Sequence, residues 1–272
     1  LRFSKRGLRS NQVHDIKPFS ILHRMFDSID HIKTLRIKIS ALERGEKGYA
    51  SATSELKLVT SPRKLYFINP QKKIEILYNT IESNHKALVK PNTFPYLTVR
   101  LDPNGSLMRK NQHYTINELG FGFIGKALAL ALGKDKEGVA HFKFVGKVDR
   151  NGYSCFLLEY ENNNYAYTDY TVGEYQTASS IAMKLGVNDF VVRYKNNLIN
   201  NFGYLKKGTV LKVPILYCRK AVIYVDEKLY LPVSISLYDD VGLFESYDFT
   251  GIVVNGPIRE IEFSKANKEY GF

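Results

Sequence analysis

Six histidines and two cysteines are the residues of this chain best suited to chemistry, and their spacing argues against it. His14, His23, His31, His85, His113 and His141 include no H-E-x-x-H pair, the spacing that sets two imidazoles on one helical face around a metal. Cys155 and Cys218 have no second cysteine pair to complete a zinc site. Both lie in apolar, strand-like runs, which suits buried inert thiols better than nucleophiles. There is no Gly-x-Ser-x-Gly elbow, and Gly120-x-Gly122 lacks the further glycines and the preceding strand of a phosphate loop. His113, Asp102 and Arg109 are the one group that could act together, but the turn Asp102-Pro103-Asn104-Gly105 explains Asp102 without catalysis. The expectation is therefore no catalytic residue, no metal and no cofactor. A site assembled from distant residues that carry no motif is the open alternative.

The elements that would position any site read as α+β. With 272 residues, 44% of them hydrophobic, the chain can bury a sizeable core in one or two domains. No apolar run approaches the ~20 residues of a membrane span. The chain begins at Leu1 without a signal pattern and is read as a processed or trimmed product. Residues 1–13, with Arg2, Lys5, Arg6 and Arg9, read as a basic tail or linker. The net charge of +12 suits either polyanionic partners or solubility alone. Nucleic acid is not expected, because no recognition motif accompanies the charge.

Phe19, Leu22, Met25, Phe26, Ile29 and Ile32 recur at helical spacing and predict an amphipathic helix over 18–32. The period then switches to two. Strands are predicted at 34–41, 54–60, 63–68, 74–79, 86–89 and 96–101. A second helix is predicted over 116–132, with Thr115 and Glu118 as a capping box and Gly133 as its stop. Further strands are expected at 141–148, 153–160, 216–225, 231–238, 243–254 and 258–263. Hairpin-length connections make the sheet antiparallel.

Residues 168–214 break this rhythm with the order β-α-α-β. Tyr170 and Val172 form a short strand, Ser180-Ile181-Ala182 lie in a helix ending at Gly186-Val187, Asn196-Asn197-Leu198 is a loop, and Leu205 to Pro214 forms the closing strand. On these residues the stretch resembles the LysM domain. The resemblance implies binding of N-acetylglucosamine polymers such as peptidoglycan. By position the contacts would come from Gly173, Tyr175, Gln176, Thr177, Asn197, Ile199 and Asn200. The family's Gly-Asp-Thr is replaced here by Tyr175-Gln176-Thr177, so a packing or protein-contact role is the alternative. Since the end strands of such a unit pair, residues 169–213 are expected to be replaceable by a short turn.

The flanking parts, 14–167 and 215–272, resemble the lipoprotein-carrier (LolA-like) superfamily. Ala221 to Asp226, Leu231-Pro232-Val233, Leu237-Tyr238-Asp239 and Gly242 to Tyr247 carry that likeness. Leu101 to Arg109 and Glu269 to Phe272 are similar to an uncharacterised family of bacterial envelope proteins. The resemblance implies a curved antiparallel sheet, an incomplete barrel covered by helices, in an exported protein of the periplasm or cell envelope. It also implies a lipid or lipidated partner between sheet and helices. Leu35, Ile37, Ile39, Phe67, Phe142, Phe144, Ile223, Val233 and Ile235 from strands are the lining candidates, with Phe123, Ile124 and Leu128 from the second helix. The same residues equally suit a solid core. A non-enzymatic envelope binding protein is thus the leading expectation, and a structural adaptor without cavity or glycan binding is its rival.

Overall fold

The computed structural model describes residues 17–81, 84–91, 94–134 and 138–272. The basic stretch 1–13 and His14 lie outside the described residues. One antiparallel sheet of eleven strands organises the molecule: β1 (Thr34–Gly45), β2 (Gly48–Val59), β3 (Lys64–Asn69), β4 (Ile74–Asn79), β5 (Ala87–Pro91), β6 (Val99–Leu101), β7 (Phe142–Arg150), β8 (Tyr153–Glu161), β11 (Lys220–Asp226), β12 (Pro232–Tyr238) and β13 (Leu243–Val254). Between β8 and β11 the chain forms β9 (Tyr167–Thr171), α4 (Ala178–Leu185), α5 (Asp189–Lys195) and β10 (Val210–Pro214). The spatial order is β6-β5-β4-β3-β2-β1-β13-β12-β11-β8-β7. β6 and β7 are therefore free edges, and the sheet stays open as the incomplete barrel requires.

Two helices cover one face. α1 (Pro18–Asp30) starts with proline in its first turn, where the missing N–H costs nothing. It buries Ile21, Leu22, Met25 and Ile29 against the sheet. α3 (Phe121–Lys134) lies across it, and a Cβ on Gly125 would stand only 3.3 Å from Ile29. That close approach explains a glycine inside a helix, where it ordinarily costs ~1 kcal/mol.

Two expectations are corrected. The helix predicted over 116–132 begins at Phe121, not Thr115. The Thr115–Glu118 capping box forms, but on a single 3-10 turn, Ile116–Glu118. Leu119 is then extended and Gly120 takes φ +101°, with Leu58 packed where a side chain would sit. Gly133 lies within the helix instead of stopping it. The strand predicted over 258–263 is instead a 3-10 turn, Glu260–Phe263. It follows Pro257 and turns so that Glu262 meets Arg36 at 2.7 Å and Lys57 at 3.1 Å. The C-terminal segment then covers the second face, where Tyr270 stacks on Tyr66 with rings 3.7 Å apart. A short helix absent from the sequence reading, α2 (Ser106–Arg109), follows β6.

The β-α-α-β order of the inserted unit is observed. Thr177 caps α4 by accepting from the Ser180 amide at 3.0 Å, and Gly186 ends it at φ +63°. Asn188 caps α5 through Val191. β9 and β10 pair from Thr171–Val210 to Tyr167–Pro214. The same register then runs through the Ile215 amide to the Ala166 carbonyl and on into β8–β11, reaching Cys155 opposite Asp226. The unit therefore stands on a prolongation of one hairpin of the main sheet.

Candidate functional site

Where α5 meets the sheet, the structure concentrates its buried polar groups. His113 is 4% exposed, its ring stacked on Phe190 of α5 at 3.7 Å. Its Nδ1 lies 2.8 Å from Glu245 Oε2 and its Nε2 2.8 Å from the Arg44 carbonyl oxygen. The Arg44 carbonyl can only accept, so Nε2 donates to it, while Nδ1 shares a proton with the Glu245 carboxyl. Burial opposes its charge, but the Glu245 hydrogen bond and the nearby Glu43 carboxylate outweigh burial and hold His113 above its ordinary value. Burial pushes Glu245 up, with the His113 bond working against it. Tyr114 donates to the other oxygen of Glu245. Asn188, the α5 cap, donates to Tyr217 at 3.1 Å and Tyr114 at 3.2 Å. Burial raises both phenols, which keeps them protonated as donors.

A second layer joins the same elements. Arg44 forks onto Asp239 and lies over the Tyr194 ring at 4.6 Å. Arg109 meets Asp189 at 2.6 Å, and buried Arg193 meets the same carboxylate at 3.2 Å. Both guanidinium groups lie over Phe202, at 5.0 and 4.9 Å. Phe190 and Val191 are part of the main core, not of the small core that Val172, Ile181 and Val192 build within the inserted unit. Through these two side chains of α5, the stretch 169–213 contributes to the host's own core. The ends of the unit do lie side by side, but α5 is shared.

Two open clefts flank this seam. One, about 940 Å³, lies between the 197–203 loop and Asn104-Gly105-Ser106, with Glu46 on its rim. The other, about 520 Å³, lies between the β1–β2 hairpin, residues 110–113 and α5, and shares Glu46, Ile199 and Asn200 with the first. Both have room for a ligand of several residues or sugar units.

The glycan-contact candidates divide into two groups. Asn197, Ile199 and Asn200 line the larger cleft, and Asn197 is left-handed at φ +57°. In the other loop, Gln176 and Thr177 are occupied structurally. Gln176 accepts from the Gly173 amide at 2.7 Å and bonds the Tyr170 hydroxyl, while Thr177 is the α4 cap. Tyr175 itself takes φ +54°, so the left-handed backbone is kept without glycine. Its side chain is 81% exposed and meets Tyr204, 72% exposed, with ring centroids 6.0 Å apart. The Leu205 amide donates to the Gln176 carbonyl at 2.8 Å and ties the two loops together. Sequence reasoning misses Tyr204, because it lies outside every position that carries the LysM likeness.

The apolar candidates are mostly deep. Leu35, Ile37, Ile39, Ile124, Leu128, Phe142, Ile223 and Ile235 are in the main core, and Phe67 and Phe144 pack against it half-buried. Val233 is fully buried at the bulge where the β11–β12 register skips. The Phe123 side chain lies outside what is described. Ile124, Leu128, Phe142 and Ile235 border an interior void beneath α3, together with Ala127, Leu132, Ala221 and Leu237, and Tyr160, Tyr217, Cys218, Glu245 and Tyr247 complete its lining. Its volume is about 20 Å³, room for roughly one water. Leu35, Ile37, Ile39, Ile223 and Val233 fill solid core.

His23 pairs with Asp27 on α1 at 2.9 Å, and both ring nitrogens of His113 are occupied. Among the described residues, no group of three His, Cys, Asp or Glu side chains is placed to hold a metal ion. Also among them, no helix is long and apolar enough to cross a membrane.

The fold defines an open antiparallel sheet roofed by helices, with an inserted β-α-α-β unit sharing its core. The chain belongs to the family described as protein of unknown function DUF1571, whose model matches residues 35–178, from β1 to the start of α4. No curated protein matches it. Among solved structures, it is similar to the Pseudomonas aeruginosa MucA/MucB complex, at 10% identity and TM-score 0.42, covering 90% of this chain and 59% of that one. The chain thus spans about three fifths of that chain's length. Lipoprotein LppX of Mycobacterium tuberculosis matches at 12% identity and TM-score 0.42, over 89% of this chain and 98% of that one. A LolA superfamily protein of Nitrosomonas europaea matches at 8% identity and TM-score 0.32, over 92% and 98%.

Proposed function

We propose that the chain is an exported, non-enzymatic binding protein of the bacterial cell envelope that takes the apolar chain of a lipid or lipidated partner between α3 and the sheet. One observation carries this reading: the void beneath α3, bordered on the helix side by Ile124, Ala127, Leu128 and Leu132 and on the sheet side by Phe142, Ala221, Ile235 and Leu237. At about 20 Å³ it is far smaller than the ~300 Å³ of a small ligand site, so uptake requires α3 to lift from the sheet. Apolar packing is non-directional, so α3 can exchange sheet contacts for contacts with an acyl chain. The test is titration with cis-parinaric acid, together with mass spectrometry of an organic extract of the native protein. A saturable fluorescence rise, lost on Ala127→Leu and Ala221→Leu, is expected. No saturable rise and no extracted lipid would leave a structural adaptor with a packed core.

A second contact, with peptidoglycan or another N-acetylglucosamine polymer, is supported by the exposed Tyr175–Tyr204 pair on the joined loops. Aromatic faces offer sugars apolar area at little entropic cost. Amide shifts on titrating an N-acetylglucosamine oligomer should be confined to 173–177 and 197–205, and lost on Tyr175→Ala. Absence of shifts at millimolar ligand would remove this contact and leave the unit as a packing element.

A further inference from the structure

Residues 94–97, just before β6, present side chains that a water-facing segment normally avoids. Phe94 is 88% exposed, Leu97 63% and Tyr96 60%. β6, which follows, has three residues and forms one free edge of the sheet. The pairs Asn69–Ile74 and Ile74–Pro91 set the β3–β4 turn beside the end of β5, so the exposed Lys72 and Lys73 stand next to it. Arg100, also exposed and opposite Leu88, closes the cluster. Among the described residues none of Lys72, Lys73 and Arg100 forms an ion pair, and Lys72 also borders the cleft that holds Glu43 and Glu46.

We infer that this edge docks on an anionic lipid bilayer. Three large exposed apolar groups, with exposed cations on the neighbouring β3–β4 turn and on β6, match the two layers of such a surface. The apolar groups enter the apolar boundary while the cations reach phosphate-bearing headgroups. The excess of positive charge over the whole chain, +12, acts in the same direction. Each Lys or Arg near an anionic leaflet strengthens partition about five-fold, an effect that salt screens. This contact does not depend on what lies beneath α3: a docked protein with a packed core and a cargo carrier that never touches vesicles are both distinguishable outcomes.

The chain contains no tryptophan, so one introduced indole is an unambiguous reporter. Leu97→Trp should shift its emission to the blue, saturably, with vesicles of phosphatidylglycerol in phosphatidylcholine, and far less with phosphatidylcholine alone. Ile81→Trp is the control. Ile81 is 71% exposed but follows β4, at the opposite end of the same strands, and an indole there should not shift. Lys72→Glu with Lys73→Glu should weaken binding to the anionic vesicles by more than about ten-fold. Co-sedimentation of the unmodified chain, reduced by Phe94→Ser, guards against an effect of the indole itself. The inference is overturned if anionic vesicles leave the emission of the Leu97→Trp variant unmoved, if the control indole shifts equally, or if the double lysine variant binds unchanged. It is also overturned if this edge binds a protein while vesicles bind nothing.

Discussion

Replacing Phe190 by alanine asks whether the inserted unit is an appendage or part of the host. Phe190 is 3% exposed, stacks on His113 at 3.7 Å and contacts the Tyr194 ring at 5.5 Å. It belongs to the main core together with Val191, although it is carried by α5. Truncating a buried phenylalanine removes its transfer free energy and leaves a cavity, together costing about 3–5 kcal/mol. Here the cavity also opens one face of His113, whose bond to Glu245 is screened from water by that ring. The upper half of the range is therefore expected. For a chain of this size each kcal/mol lowers Tm by about 2–4 °C, giving a fall of roughly 8–20 °C. Calorimetry should show one transition moved down as a whole, and urea titration followed by near-ultraviolet circular dichroism should agree with it. A loss below about 1 kcal/mol, or a separate early transition for the 168–214 unit with the host's midpoint unmoved, would refute the shared core.

Glu262→Gln should cost about 3 kcal/mol at neutral pH. The Arg36 hydrogen bond, aided by the Arg259 amide and Lys57, takes this carboxyl from 4.5 down to about 2, and a pKa lowered by one on folding stabilises the fold by about 1.36 kcal/mol. Because the folded value lies below the unfolded one, the stabilisation is complete above the unfolded pKa and disappears as pH falls through about 2. The wild-type and variant curves of stability against pH must therefore converge in acid, and curves that stay parallel there would exclude the charge as the cause. Cys155 and Cys218 should both resist dithionitrobenzoate until the protein unfolds, since burial pushes the Cys155 thiol up to about 11 and Cys218 higher still. With Cys155 opposite Asp226, the register separates the two sulfurs by roughly 26 Å of strand. Rapid labelling of native protein, or a Cys155–Cys218 bond in a peptide map, would contradict this placement.

The local pattern of the sequence determined the strands, α1 and the β-α-α-β order, because side-chain period and capping residues act within a few positions. The register that sets Cys155 opposite Asp226 continues that of β9–β10, since an antiparallel hairpin extended through an insert keeps one register. Where a distant partner competes, the local pattern was insufficient. Thr115 and Glu118 read as the start of a long helix, but Leu58 packs against Gly120 and breaks it. Residues 258–263 alternate like a strand, yet Arg36 and Lys57 draw Glu262 into a turn. The apolar candidates were legible as inward-facing residues, but whether a cavity separates them is a matter of packed volume, which no linear pattern contains. The seam was least visible of all. His113, Glu245, Arg44, Asp239, Asn188 and Phe190 are scattered across the chain and carry no motif. Only the tertiary fold, by burying them together away from water, turns six ordinary residues into one packed cluster of hydrogen bonds and ring contacts.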